Sequence, residues 1–156
     1  MTTQNVKPKF GTSTALTITL ASLASSTAGV GRQCTLVDNT TNRYDLIHLF
    51  GQITTGTSPT DGKTIYLYAI RGDGTRRTDG AGASDAGMTR MTARLLKTIP
   101  TDDTSEQGYE FDCLLASPGP EWGICVVQDT EVALNATGTN HYVYYVGEHM
   151  EAADAT

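Results

Sequence analysis

The sequence predicts an all-β protein, a two-sheet sandwich of the jelly-roll kind with about eight strands. Three observations lead to this prediction. Runs of alternating apolar and polar residues, rich in β-branched and aromatic types, recur along the chain. Clusters of Gly, Ser, Thr, Asp and Asn separate these runs. The loops between them are long and uneven, which favours a jelly roll over an up-and-down barrel with its shorter hairpins.

Composition and charge exclude several classes of function. The 156 residues suffice for one domain with a single core. The formal net charge is -6, and an acidic surface repels phosphate backbones, so we expect no nucleic-acid partner. The start of the sequence lacks the apolar segment of a signal peptide, and the run ALTITLASLASSTAG is too polar to span a bilayer. We therefore expect synthesis in the cytoplasm and no membrane partner.

The chain is divided into an N-terminal arm, a β-sandwich domain and a C-terminal tail, over residues 1–13, 14–150 and 151–156. The arm is polar and gains little by folding alone, so we expect it to order against a neighbouring molecule. Lys7, Lys9 and Phe10 supply two charges and one aromatic ring to this segment. We predict that these three residues contact a partner.

The first strands are predicted from their alternation. Residues 14–20 alternate apolar side chains with Thr, which indicates a strand with one dry face. A short strand over 33–37 ends at the turn cluster DNTTN. Residues 43–54 are largely apolar on both faces, which predicts a central strand with a bulge near Gly51.

The middle of the chain contains one clear strand and a long loop. Residues 63–71 place Tyr66 and Tyr68 opposite the apolar face of a strand. Residues 72–87 contain many Gly and Asp residues, which predicts a long flexible loop. Residues 88–99 are predicted to form a short helical turn that leads into a strand.

Three more strands are predicted over 109–116, 122–128 and 141–148. In the last of them, Tyr142 and Tyr144 share one face, and Val143 and Tyr145 share the other. Both faces are apolar, so one should join the core and the other should meet another subunit. We predict that Val143 and Tyr145 point inward and that Tyr142 and Tyr144 contact a neighbour, because tyrosine is favoured at interfaces.

The sequence contains no motif typical of an enzyme active site or a cofactor site. P-loop, GxSxG, GxGxxG and HExxH patterns are all absent. Asp73, Asp79 and Asp85 carry oxygen ligands suited to calcium, but their spacing does not match an EF-hand loop. We therefore expect no catalytic activity, no cofactor and no metal.

The three cysteines show no CxxC or CxxH spacing, which makes a zinc site unfavourable. Cys113 and Cys125 fall inside apolar strand runs. We predict that both, together with Cys34, are buried free thiols that act as small hydrophobic side chains. A bridge between Cys113 and Cys125 is the alternative.

A carbohydrate-binding surface is an alternative interpretation of the aromatic residues. Many sandwich domains bind sugars on aromatic platforms, and the residues available for one here are Trp122, Tyr66, Tyr68, Tyr142, Tyr144 and Tyr145. The favoured reading is that Trp122 packs in the core and that the tyrosines line sheet faces or subunit contacts.

The segment TALTITLASLASSTAGVGRQCTLVDNTTNRYDLIHLFGQITTGTSP, residues 14–59, resembles the opening of small β-rich structural proteins of tailed bacteriophages. The resemblance covers about a third of the chain. Cys34 and His48 depart from the pattern. The matching residues are Leu16, Thr17, Thr19, Leu20, Leu23, Ala24, Val37, Asp38, Asn39, Thr40, Asn42, Thr55, Gly56, Thr57, Ser58 and Pro59.

The resemblance implies a phage virion protein, most readily a capsid decoration protein that cements the head. The partners expected from it are the major capsid protein and further copies of the chain itself, as a homo-oligomer such as a trimer. Its expected location is the capsid surface, after synthesis in the host cytoplasm. A tail or tail-fibre component is the alternative from the same class.

Overall fold

The computed structural model describes residues 6–152 of the chain. Within this part, eleven strands and one 3₁₀ turn, Gly138–Asn140, alternate with loops. The strands are β1 Val6–Phe10, β2 Thr14–Ala15, β3 Val30–Gln33, β4 Val37–Asp38, β5 Leu46–Thr54, β6 Lys63–Gly72, β7 Ala86–Thr89, β8 Arg94–Thr101, β9 Gly108–Ala116, β10 Glu121–Gln128 and β11 Tyr142–Ala152.

The strands form two antiparallel sheets. In the five-stranded sheet, β1 and β2 lie in succession along β11, followed by β5 and β9. In the six-stranded sheet, β7 is followed by β3 and β4 along β10, and then by β6 and β8. We count β1/β2 and β3/β4 each as one interrupted strand and leave out β7 as an added edge strand. The eight strands that remain, renumbered 1 to 8 along the chain, have the orders 1-8-3-6 and 2-7-4-5 in the two sheets. This is the strand order of a jelly roll, so the predicted two-sheet sandwich is confirmed.

The core lies between the two sheets and is built from alternate residues of the long strands. Trp122 of β10 is fully buried there, and its ring meets that of Tyr145 edge to face at a centroid distance of 5.0 Å. Further core side chains are Ile47, Leu49, Ile53, Ile65, Leu67, Ala69, Phe111, Leu115, Ile124, Val126 and Val143. The predicted place of Trp122 in the core is confirmed.

Residues 72–87, predicted as a flexible loop, fold over the outer face of the six-stranded sheet. The Gln33 side-chain amide donates to the carbonyls of Gly82 and Ser84, at 2.8 and 2.6 Å. Arg32 Nε donates to Asp85 Oδ1 at 2.6 Å. A second, smaller apolar cluster lies on this outer face, and its buried members are Ile70, Met88, Cys125 and Val127.

Several predicted element boundaries are wrong. Only Thr14–Ala15 of the expected strand 14–20 pairs with β11, because the chain then leaves the sheet edge and Leu16 and Leu20 enter the core. The expected strand 43–54 begins at Leu46, because the Asn39 side chain occupies both the N–H and the C=O of Tyr44.

The segments 33–37 and 88–99 also differ from expectation. Residues 33–37 are divided between the end of β3 and the start of β4. No helical turn forms between residues 88 and 99; the chain there completes β7 and enters β8. Both β7 and β8 pair with other strands, and this long-range pairing overrides the local helical tendency.

Gly51 lies in a regular ladder rather than at a bulge. Its strand pairs in unbroken register with β11 on one side and β9 on the other. A Cβ at this position would collide with the carbonyl oxygen of Tyr142 and would lie 3.1 Å from Phe111 Cζ. Glycine is therefore required by the close approach of a neighbouring backbone. A register shift occurs instead between β6 and β8, where Leu96 is the extra residue opposite Leu67 and Tyr68.

The expectation that residues 1–13 form a separate arm is wrong for β1. Val6–Phe10 pairs in register with Glu148–Ala152 of β11 in the same chain. Pro8 is compatible with this position because β1 is an edge strand, where a missing N–H costs no ladder bond. The tail boundary is displaced as well, since β11 continues to Ala152. Residues 1–5 and 153–156 of the expected arm and tail lie outside the described residues.

Candidate interaction surface

The outer face of the five-stranded sheet carries most of the exposed apolar side chains of the fold. Among the described residues, ten large hydrophobic side chains are exposed, and seven of them lie on this face. They are Val6, Phe10, Phe50, Leu114, Tyr142, Tyr144 and Met150. Because exposed large apolar groups concentrated on one face mark interaction sites, this outer face is the candidate functional surface.

The register of the sheet brings these side chains together from four strands. Directly paired residues in antiparallel strands point to the same face. Phe50 of β5 therefore lies between Tyr144 of β11 and Asp112 of β9. The rings of Phe50 and Tyr144 stack with centroids 6.0 Å apart, and those of Tyr142 and Tyr144 are 6.2 Å apart. The aromatic centre of the surface is thus assembled from residues nearly a hundred positions apart in sequence.

His48 lies next to this aromatic centre. Its Nε2 is 2.7 Å from Oε2 of Glu148 on the neighbouring strand, and the side chains of both residues are partly exposed. The Phe10 ring lies edge-on to the His48 ring at a centroid distance of 5.9 Å. Leu114 pairs with His48 from the other side. The surface therefore combines apolar side chains with one polar pair.

The charges on this face are mainly acidic. Glu110 and Asp112 project from the edge strand β9, and Glu148 projects from β11. An apolar centre with a polar rim is the usual arrangement of a protein–protein interface. The acidic rim favours a partner that offers basic or hydrogen-bond donor groups opposite it.

The structure divides the five predicted contact residues between two directions. Phe10, Tyr142 and Tyr144 share the outer face, as their pairing register requires. Lys7 and Lys9 alternate with Phe10 along β1 and point the other way. Lys9 Nζ donates to Glu151 Oε1 at 2.9 Å, and this hydrogen bond together with the Glu151 charge raises the pKa of Lys9. The two lysines therefore do not share the apolar outer face with Phe10, and contact of all three with a partner stays a prediction.

The predicted orientation of the last strand is confirmed. Val143 is buried in the core, and Tyr145 packs against it. Tyr142 and Tyr144 remain 41% and 36% exposed. Their contact with a neighbouring molecule stays a prediction.

Sequence reasoning missed Val6, Phe50, Leu114 and Met150 as members of the surface. The signal was present in the segment 43–54, where both faces are apolar. That pattern alone predicts a central strand buried on both sides. The strand is indeed central within its sheet, but only one of its faces packs on the core, and Phe50 on the other face is exposed.

The three loop aspartates do not converge on one point. Asp73 accepts backbone N–H bonds within its own turn, at 2.9 and 2.6 Å. Asp79 binds backbone N–H groups of residues 91–93, and Asp85 binds Arg32. Each carboxylate is therefore engaged in holding a different part of the loop.

The cysteines are free thiols, as predicted, with Cys34 and Cys125 buried and Cys113 partly buried. Burial raises the pKa of Cys34 and of Cys113 to about 11. Burial also raises the pKa of Cys125 to about 12. All three therefore remain protonated near neutral pH, and a disulfide between Cys113 and Cys125 is not formed.

The aromatic residues considered for a sugar platform lie in three different places. Trp122 and Tyr145 pack between the sheets. Tyr142 and Tyr144 lie on the outer face of the five-stranded sheet, whereas Tyr66 and Tyr68 lie on the outer face of the opposite sheet. They do not form one common platform.

Comparison of the chain with protein-family profiles, curated protein sequences and solved structures found no match. Within residues 6–152, no group of three or more His, Cys, Asp or Glu side chains is arranged to hold a metal ion. In the same range, no helix has the length and apolar character needed to cross a membrane.

Proposed function

We propose that this chain is a structural protein of a tailed-phage virion, a capsid decoration protein that binds the major capsid protein through the outer face of its five-stranded sheet. The observation that carries the proposal is the concentration of exposed aromatic and aliphatic side chains on that face. An uncovered face of this kind is costly in water and becomes favourable when a partner buries it.

Two further points support a structural role. Viral capsid domains are among the proteins that use jelly rolls, although the fold alone does not specify a function. The resemblance of residues 14–59 to small phage structural proteins points to the same class. Location on the capsid surface and assembly as a homo-oligomer such as a trimer are parts of this proposal.

The mechanism follows from the composition of the face. Burial of the paired rings of Phe50 and Tyr144, with Leu114 beside them, supplies the non-directional part of the affinity. The His48–Glu148 pair and the acidic side chains of β9 limit the orientations in which a partner can dock. A chain that bridges two capsid subunits in this way stabilises the shell without any chemical step.

A binding experiment with particles tests the proposal. Purified chain is added to capsids that lack it, and occupancy is measured after sedimentation. Phe50→Asp and Leu114→Asp each place a charge in the centre of the face, so we expect both to reduce occupancy at least about tenfold. Leu95→Asp is the matched control, because Leu95 is 47% exposed on the opposite sheet. Equal occupancy for all three variants would exclude this face as the contact.

A further inference from the structure

A second surface feature lies on the other sheet, far from the apolar face. A groove of about 390 Å³ opens on the outer side of the six-stranded sheet. Tyr66, Tyr68 and Val127 come from β6 and β10, and Arg90 and Asp129 complete the polar part of the lining. Unlike the outer face of the five-stranded sheet, this groove combines aromatic rings with one cation and one anion.

The aromatic part of the groove is held in place by its neighbours. Tyr66 and Tyr68 stand two residues apart on β6, with ring centroids 6.2 Å apart and planes inclined by 27°. The guanidinium carbon of Arg90 lies 4.6 Å from the centroid of the Tyr68 ring, a cation–π contact. The backbone N–H of Arg90, the residue after β7, donates to Gly29 O at 2.9 Å and so fixes Arg90 against the loop 26–29 that also lines the groove. The groove is therefore pre-organised before any ligand arrives.

The polar part of the groove has unused hydrogen-bonding capacity. Arg90 Nε and Asp129 Oδ1 are both buried and have no hydrogen-bond partner. The ion pairs found among residues 6–152 do not include either residue. These two atoms are closed to solvent, but the amino groups of the Arg90 guanidinium and Asp129 Oδ2 are neither buried nor hydrogen-bonded. A ligand in the groove can therefore bond both side chains through these open atoms.

These features together select the chemistry of the ligand. The cation and the anion balance each other, so a ligand that contacts both is best neutral. It must accept a hydrogen bond from Arg90 and donate one to Asp129, and it must offer an apolar surface to the tyrosine rings. A sugar meets all three requirements, since its hydroxyl groups both donate and accept and its C–H groups pack on aromatic rings.

We infer that this groove binds a neutral saccharide unit, with the sugar ring on Tyr66 and Tyr68 and its hydroxyl groups on the amino groups of the Arg90 guanidinium and on Asp129 Oδ2. This site lies on the sheet opposite the proposed capsid-binding face. A chain docked by the five-stranded sheet therefore leaves the groove open to surface glycans. The inference does not depend on the proposed capsid role.

Saturation-transfer NMR with the purified chain tests the site. The probes are neutral hexoses, 6-deoxyhexoses and N-acetylhexosamines, compared with hexuronic acids of matched size. We expect transfer to the ring protons of at least one neutral sugar, with a loss of at least about tenfold in affinity for Tyr66→Ala and for Asp129→Asn. Asp129→Asn preserves side-chain volume, so it remains informative if Tyr66→Ala perturbs folding.

The control is Tyr142→Ala, which removes a tyrosine from the opposite sheet and should leave sugar binding unchanged. Three results would each overturn the inference: no transfer to any neutral sugar, transfer to hexuronic acids alone, or binding unchanged in both groove variants. Neither groove variant alters the five-stranded sheet, so we expect both to bind capsids as the unmodified chain does. Loss of sugar binding with full capsid occupancy therefore separates the two proposals.

Discussion

The ring of Phe50 stacks on that of Tyr144 at an interplanar angle of 14° on the outer surface of the five-stranded sheet. The next residue, Tyr145, points to the other side of the same strand and meets Trp122 in the core. Two successive tyrosines of β11 therefore serve different parts of the molecule. One contributes to the fold and the other to an uncovered surface, so their roles are separable by mutation.

Substitution of these tyrosines by alanine gives the first prediction. Tyr144→Ala should weaken binding to capsids by about 2 kcal/mol, the scale of an interface hot spot, with little change in thermal stability. Tyr145→Ala should instead lower the free energy of unfolding by about 3 kcal/mol, because it leaves a cavity beside Trp122. Co-sedimentation with capsids and thermal melts measure the two effects. A Tyr144→Ala protein that binds capsids as the unmodified chain does while losing stability would contradict the assignment.

The sequence predicts the fold class and the inward face of β11 because both follow from local alternation. Val143 and Tyr145 alternate with Tyr142 and Tyr144, so once one residue is assigned to the core, the direction of the other three follows. The segment 14–20 shows the same alternation yet leaves the ladder after two residues. Alternation therefore reports burial of one face but not backbone pairing.

The sequence predicts only some of the residues of the interaction surface. Phe50 and Tyr144 are neighbours through the register of β5 and β11, and no local pattern encodes that register. Strand β1 was missed because Pro8 and two lysines mark it as polar and irregular, although an edge strand tolerates all three. Long-range pairing sets both features.

The second prediction concerns Asp79, which holds the loop over the six-stranded sheet. Burial raises the pKa of Asp79, but hydrogen bonds from the backbone N–H groups of Thr92, Ala93 and Met91 outweigh it, and the pKa lies below its ordinary value. A lowered pKa in the folded state stabilises the protein above the unfolded pKa of about 3.9. This contribution is lost as the pH falls through the folded-state pKa.

Asp79→Asn should therefore lower the free energy of unfolding by about 1 to 3 kcal/mol at pH 7, the scale of hydrogen bonds to a charged group. The difference in free energy of unfolding between Asp79→Asn and the unmodified chain should shrink as the pH falls below about 4. Urea titrations at pH 7 and below pH 4 measure this difference. Asp61→Asn, at an exposed position, is the control. A difference that is independent of pH would refute the role of the carboxylate charge.

The third prediction concerns the thiols. Cys34 and Cys125 are buried and their pKa values are raised to about 11 and about 12, so neither forms a thiolate near neutral pH. We expect iodoacetamide at pH 8 to leave both unmodified in the folded chain and to alkylate them in denaturant. Mass spectrometry of the digested protein measures this. Rapid alkylation of either cysteine in the folded protein would show that the core is open.

The fourth prediction concerns Gly51. A Cβ here would collide with the carbonyl oxygen of Tyr142, so Gly51→Ala should force β5 and β11 apart and cost about 1 to 3 kcal/mol. Gly138→Ala is the control, since nothing lies within 4 Å of a Cβ at that position. Thermal melts of the two variants give the comparison. If Gly51→Ala and Gly138→Ala have the same melting temperature, the close approach of β5 and β11 at Gly51 is not as described.

The proposed function depends on contact between the capsid and the outer face of the five-stranded sheet, with Phe50 and Tyr144 at its centre. Cryo-electron microscopy of intact particles that contain the chain would show this contact. We expect density for the jelly roll repeated over the capsid lattice, with the Phe50–Tyr144 face toward the shell and the groove at Tyr66 toward solvent. Density confined to the tail, or a jelly roll whose Phe50–Tyr144 face points to solvent, would contradict it.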